Sequence, residues 1–229
     1  TALNVQKIDK MISNKIMQLA KGRLFVAVLY LFLATAFLSM WMSNTATAAM
    51  MIPLSMTILS QLDQKEEHNT YVFVLLGIAY SATIGGMGTL VGSPPNAIAA
   101  SQLHLDFADW LMYGTPVMLI LFPLIIGWLY IVFKPKLGLH FAAEFEKIHM
   151  TKQRVLTLVI FITVAILWIF GGYLNPIISQ SLGLPKPIGS FDSMVALSAA
   201  IVICVTGIAS WKQVQENTEW GVLFLFGGG

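Results

Sequence analysis

Apolar residues come in runs of about 15–25 positions, separated by short charged loops, with neither the alternation of strands nor the single stripe of a surface helix. A helix needs roughly 20 apolar residues to cross ~30 Å of hydrocarbon. Residues 24–60 contain no Asp, Glu, Lys, Arg or His. As one helix they would run about 55 Å, yet two full crossings need roughly 40 residues plus a turn. The pattern predicts a re-entrant helical hairpin that enters and leaves on one side. Its turn is expected at Ser43-Asn44-Thr45, because these side chains bond nearby backbone and favour caps over helix interiors. After a polar loop at 61–70, residues 71–103 are apolar again but interrupted by the run Gly85 to Asn96. The halves, 71–84 and 94–103, are each expected to be too short to cross, and together to cross once with an unwound middle. Ser93 sits where an N-cap belongs, and Pro94 and Pro95 fit the first helical turn. Further crossings are expected at 110–133, 154–174 and 193–210, and another segment begins in 220–229. At the N-terminus, Val5, Ile8, Ile12, Ile16 and Leu19 recur every three or four residues among Lys7, Lys10, Lys15, Lys21 and Arg23. That spacing predicts an amphipathic helix over 1–23 lying at a membrane surface as an interfacial arm. A solvated helix packed on another domain is the alternative.

Composition strengthens the membrane reading. Apolar residues make up 57% of the 229 positions and charged ones 10%, against roughly a quarter charged in an average soluble domain. The fold class expected is therefore an all-α polytopic membrane protein. A formal charge of +2 gives no basis for nucleic-acid binding. The single cysteine, Cys204, excludes an internal disulfide and reads as a small buried hydrophobe. The chain opens on Thr1 and stops within the apolar run that starts at Trp220, so a piece of a longer protein is expected. Loops 1–23 and 134–154 each carry five basic residues and at most two acids, whereas 104–109 has Asp106 and Asp109 and no Lys or Arg. By the positive-inside rule the two basic loops are cytoplasmic and the acidic one lies opposite. Loop 61–70, with Asp63, Glu66 and Glu67 against Lys65, is a mild exception.

The chemistry concentrates at the two interruptions. A half-helix begins after each, and its first N–H groups lack intrahelical partners, which is costly in hydrocarbon unless something accepts from them. Aimed into a shared cavity, both ends would bind anionic oxygen with help from the helix dipole. Carbonyls and hydroxyls just before each break are hard oxygen ligands suited to Na⁺. No Lys or Arg occurs between Arg23 and Lys65, or between Lys65 and Lys134. A bound anion then needs a co-bound cation; at 4 Å and an effective dielectric near 20 a unit pair gains on the order of 4 kcal/mol. Either break taken alone could be a packing feature. The glycine-rich run lacks the Gly-Lys-Ser/Thr ending of a phosphate loop. His140, His149, Glu144 and Glu146 are read as a solvated loop rather than a metal cluster. No general acid, nucleophile or metal cluster lies in the apolar segments, so an enzyme is not expected, nor an organic cofactor. A non-transporting structural membrane subunit is the remaining class.

Two stretches, Ser39-Met40-Trp41-Met42-Ser43-Asn44-Thr45-Ala46-Thr47 and Ala82 through Asn96, resemble the divalent anion/sodium symporter family, which includes bacterial succinate and citrate carriers. The flanking hydropathy is similar along essentially the whole chain. The resemblance implies one half of an inverted-repeat, elevator-type transporter, with the first motif tipping the hairpin and the second unwinding the next helix. It implies a first sodium site of Ser39, Ser43, Asn44 and Gly92, and substrate contacts from Asn44 and Thr45 with Ser93 and Pro94 lining the pocket. Ser93 stands where the family often has Thr. It further implies a Na⁺-coupled symporter of C4-dicarboxylates (succinate, malate, fumarate) or citrate, homodimeric in full length, in the bacterial inner membrane. A Na⁺-independent dicarboxylate exchanger of the same fold is the nearest rival.

Overall fold

The computed structural model describes residues 2–8, 10–11, 15, 19–20, 22–138, 149–216 and 220. Every element bounded within them is an α-helix: α1 (Ala2–Val5), α2 (Leu24–Ser39), α3 (Asn44–Leu59), α4 (His68–Gly86), α5 (Pro94–Leu103), α6 (Phe107–Phe133), α7 (Lys152–Ile169), α8 (Gly171–Ser181), α9 (Phe191–Val205) and α10 (Trp211–Glu216). They fall into two compact units. One comprises residues 9–99 and 111–148, the other 1–8, 100–110 and 149–229.

In the first unit, α2 and α3 are 16 residues each and are joined by Met40–Ser43. The turn therefore comes earlier than the Ser43-Asn44-Thr45 triplet, because Ser43 is the N-cap and Asn44 and Thr45 are already helical. A capping side chain must precede the amides that it satisfies. Helix α4 has 19 residues and qualifies by length and composition as a membrane span, unlike the 71–84 half expected from the sequence. His68, Asn69 and Thr70 join its first turn and Gly85 and Gly86 its last. The chain is unwound from Met87 to Ser93 before α5 begins.

Packing in this unit depends on small residues. Gly77, Ser81 and Gly85 recur at intervals of four on α4, so they line one face. An added Cβ at Gly77 would overlap the Phe32 ring, and one at Gly85 the backbone of Ala36. This brings α2 and α4 together as small-residue stripes do in membranes, where no hydrophobic effect drives helices together. Phe32 and Phe73 meet edge to face at 5.5 Å, and Phe73 meets Tyr130 of α6 at 6.2 Å. The Tyr71 hydroxyl lies within hydrogen-bond distance of the Leu59 and Leu62 carbonyls and donates its one proton to the nearer, that of Leu59. Lys136, just past α6, donates its N–H to Thr70 Oγ1 at 3.0 Å and pairs through Nζ with Glu67 Oε1 at 2.9 Å. The start of α4 and the end of α6 thus share one end of the unit. The Glu67 hydrogen bond, and then its charge, raise the Lys136 pKa above the ordinary lysine value.

In the second unit, α7 stops at Phe170 and α8 restarts at Gly171, so 154–174 is not one continuous helix. Gly171 and Gly172 are poor interior helix formers and mark the interruption. Helix α9 ends at Val205, short of residue 210, and Gly207 follows with φ 69° as a left-handed terminator. Asp192 Oδ2 accepts the Phe107 N–H at 3.0 Å, and Trp168 Nε1 donates to the Asp192 carbonyl at 3.1 Å. Asn175 holds both backbone groups of Ile188 at 2.9 Å.

The arm expected over 1–23 is not one uninterrupted helix. Helix α1 ends at Val5, Lys7 has φ 54°, and Leu19 is 61% exposed although Ile8 is buried. Ile12 and Ile16 lie outside the described residues. So do His140, Glu144 and Glu146, and the segment 220–229 apart from Trp220.

Helices α4, α6 and α7 are long and apolar enough to cross a membrane, and α2, α3 and α9 are shorter apolar helices. Only 17% of the most apolar window of α6 and 6% of that of α7 is buried. Monomeric soluble proteins rarely expose apolar surface so continuously.

Candidate functional site

The two breaks meet. Ser39, the last residue of α2, is fully buried, and its Oγ lies 2.6 Å from Asn44 Oδ1 and 2.7 Å from the Ala82 carbonyl of α4. A hydroxyl has one proton, so it donates to one of these oxygens at a time. Three oxygens gathered around a single proton make a donor set suited to a hard monovalent cation. Gly92 closes the other side. An added Cβ there would come 2.5 Å from the Gly86 carbonyl oxygen and 3.0 Å from that of Ser39. A Cβ at Gly86 would overlap the Asn44 carboxamide. Only glycine allows α4 and the 87–93 segment to lie this close to the α2–α3 turn. The structure thus brings Ser39, Asn44 and Gly92 together, with Ser43 beside them as the α3 N-cap. Ser43 Oγ accepts the Ala46 N–H at 3.3 Å.

The two half-helix starts differ in the donors they offer, contrary to the symmetric expectation. At α3, the Ala46 N–H goes to Ser43 Oγ and the Thr47 N–H to the Ser43 carbonyl at 3.0 Å. The Asn44 and Thr45 N–H groups ahead of them are the ones open to an acceptor. At α5, Pro94 and Pro95 have no N–H, and the Asn96 N–H is taken by the Ser93 carbonyl at 3.0 Å. The amide donors are therefore concentrated at α3. Thr45 and Pro94 are exposed and Ser93 is half-buried. Among the described residues no hydrogen bond joins Thr45 to Ser93 or Pro94.

Several residues that hold the breaks were not singled out from the sequence. Asn96 is 8% exposed, and its Nδ2 donates to the Gly86 and Thr89 carbonyls, both at 2.7 Å. Thr89 is fully buried; its hydroxyl donates to the Met40 carbonyl and accepts the Gly92 N–H at 3.1 Å. The Thr115 hydroxyl of α6 reaches the Gly88 carbonyl at 3.0 Å. A polar side chain just inside an apolar half-helix, as Asn96 is, was the available signal. Two cavities lie apart from the breaks. A polar one of about 570 Å³ is bordered by Ser101, His104, Asp106, Asn175 and Asp192, and an apolar one of about 250 Å³ by Phe25, Phe32 and Tyr130. Neither includes Ser39, Ser43, Asn44 or Gly92. Among the described residues no group of three His, Cys, Asp or Glu side chains is placed to hold a metal ion.

Known proteins similar to this chain are transporters. The family model described as citrate transporter matches residues 2–229. A protein of Haemophilus influenzae described as an uncharacterized transporter is 71% identical over all of this chain, which covers 50% of that relative's length. A second transporter so described, from Methanocaldococcus jannaschii, is 36% identical over 99% of the chain and 49% of its own length. The sodium-dependent dicarboxylate transporter SdcS of Staphylococcus aureus is 30% identical over 86% of the chain and 42% of its own length. The chain spans about half the length of these relatives. Its relatives are transporters, not enzymes. With its apolar helices and the two motifs it shares with divalent anion/sodium symporters, the chain belongs to the citrate transporter family of all-helical membrane proteins.

Proposed function

We propose that the full-length protein is a secondary active transporter that couples Na⁺ entry to uptake of a C4-dicarboxylate or citrate. The observation that carries this reading is the meeting of Ser39, Asn44, Gly86 and Gly92 where α3 begins. Na⁺ fits that donor set of neutral, hard oxygens. The substrate carboxylate is placed on the open Asn44 and Thr45 amides, with the Asn44 and Thr45 side chains beside them and Ser93 and Pro94 as the neighbouring wall. Na⁺ supplies the positive charge that no side chain between residues 24 and 64 provides. The sodium dependence named for the S. aureus relative supports the same coupling.

The α2–α3 pair is re-entrant in this reading, since two 16-residue helices are each shorter than the roughly 20 residues a crossing needs. Loops 1–23 and 134–154 face the cytoplasm of a bacterial inner membrane, the protein is a homodimer, and the part carrying the two breaks moves as an elevator. The test is uptake into proteoliposomes containing the full-length protein. An inward Na⁺ gradient should drive accumulation, and choline in its place should abolish it. Uptake driven only by internal dicarboxylate, indifferent to Na⁺, would establish the exchanger instead.

A further inference from the structure

One side chain at the α3 break is left without a partner. Thr47 is fully buried, and its Oγ1 makes no hydrogen bond among the described residues. That is unlike the other helical threonines nearby. Thr35, Thr57 and Thr83 each donate to the carbonyl four residues earlier, at 2.6, 3.1 and 3.0 Å, and Thr157 does so at 2.7 Å. The same option exists for Thr47, whose fourth-previous carbonyl is that of Ser43, yet the hydroxyl does not take it. A buried hydroxyl left unsatisfied is costly, and a valine of the same shape would avoid the cost. Helix geometry gives its direction. Thr47 is three residues past Asn44 and four past Ser43, so all three share one face. Helical side chains lean toward the N-terminus, so the Thr47 side chain lies on the face of α3 that leads back to the break. Ser81, the other buried hydroxyl without a partner, has a packing explanation in the Gly77–Gly85 stripe; Thr47 lies outside that stripe.

We propose that the Thr47 hydroxyl is a further oxygen ligand of the cation bound at this break, strengthening its hold beyond Ser39, Ser43, Asn44 and Gly92. The inference rests on reading the breaks as a Na⁺ site. A neutral hydroxyl approaching from inside α3 adds a donor on the side away from the substrate. It can strengthen cation binding without contacting the carboxylate.

The test uses the purified full-length transporter without substrate. Thermal unfolding is followed against NaCl concentration, with choline chloride keeping ionic strength constant. Thr47→Val, Thr47→Ser and the control Asn44→Ala are compared with wild type. The valine variant should unfold in choline at or above the wild-type temperature, while the NaCl concentration giving half its stabilisation rises about tenfold or more, a loss of one good ligand. Thr47→Ser should stay near wild type. If the valine variant does not fold, Thr47→Ala is read in the same way. A wild-type NaCl midpoint in the valine variant, with the midpoint lost in Asn44→Ala, overturns the role of Thr47 alone. Unchanged midpoints in both variants overturn the Na⁺ site itself.

Discussion

Asn44 is where the candidate site is most sensitive, because its side chain touches both breaks: Oδ1 lies 2.6 Å from Ser39 Oγ, and the carboxamide covers Gly86. Asn44→Ala removes an oxygen from the donor set but leaves the helices joined through Asn96 and Thr89. Cation-dependent substrate binding is expected to weaken at least about tenfold, with the unfolding temperature in choline shifted by only a few degrees. Ser43→Ala and Thr45→Ala should weaken it less, for different reasons. Ser43→Ala also removes a helix cap, a change that costs about 0.5–2 kcal/mol, so it should lower stability in the absence of Na⁺. Thr45 is exposed, so Thr45→Ala should alter substrate affinity and leave stability unchanged. Gly86→Ala should mimic Asn44→Ala, since its methyl group occupies the space of the Asn44 carboxamide. Ser43 and Asn44 stand out in the sequence because they interrupt an apolar run, whereas Ser39 and Gly92 were pointed to by the resemblance to the symporter family. Gly86, Thr89 and Asn96 were less legible, because their bonds join residues seven and ten apart in sequence. Both half-helix starts were expected to donate, although Pro94 and Pro95 have no N–H to offer.

Between elements, the unwound segment 87–93 is held by side chains rather than by regular structure. Asn96 Nδ2 donates to both the Gly86 and the Thr89 carbonyls. Asn96→Ala leaves both without that donor and is expected to cost about 1–3 kcal/mol. Hydrogen exchange should then quicken at 87–93 and remain slow in the middle of α2. Gly85→Ala tests the α2–α4 contact. Its methyl group would overlap the Ala36 backbone, and overpacking of this kind typically costs about 1–3 kcal/mol. A lowered unfolding temperature without a changed NaCl midpoint is the expected result. The short α10, Trp211–Glu216, was not expected, whereas the longer apolar helices could be read from hydropathy, because α2, α3, α4, α6, α7 and α9 are apolar runs. Their ends could not. Apolarity extends through Phe170 and Gly171 without a change, whereas the backbone stops one helix and starts another there. Conversely, His68–Thr70 look like loop by polarity but form the first turn of α4. The interruption at Lys7 gave no sign in the spacing of Val5 and Ile8.

For the whole molecule, a chain spanning about half the length of its relatives brings the breaks at 40–43 and 87–93 together around converging oxygens. Few charges in the apolar segments made the membrane class legible at once. Charge balance between loops suggested an orientation, which the helices alone do not test. The coupling claim is the central one: in the proposed reading, a carboxylate held by amides in a region without cationic side chains is stabilised by a cation beside it. The most direct measurement is calorimetric binding of succinate and of citrate to the purified full-length protein, in NaCl and in choline chloride at equal ionic strength. Saturable binding of at least one of them in NaCl, and none detectable in choline, is the result predicted. Equal affinity in the two salts would contradict it.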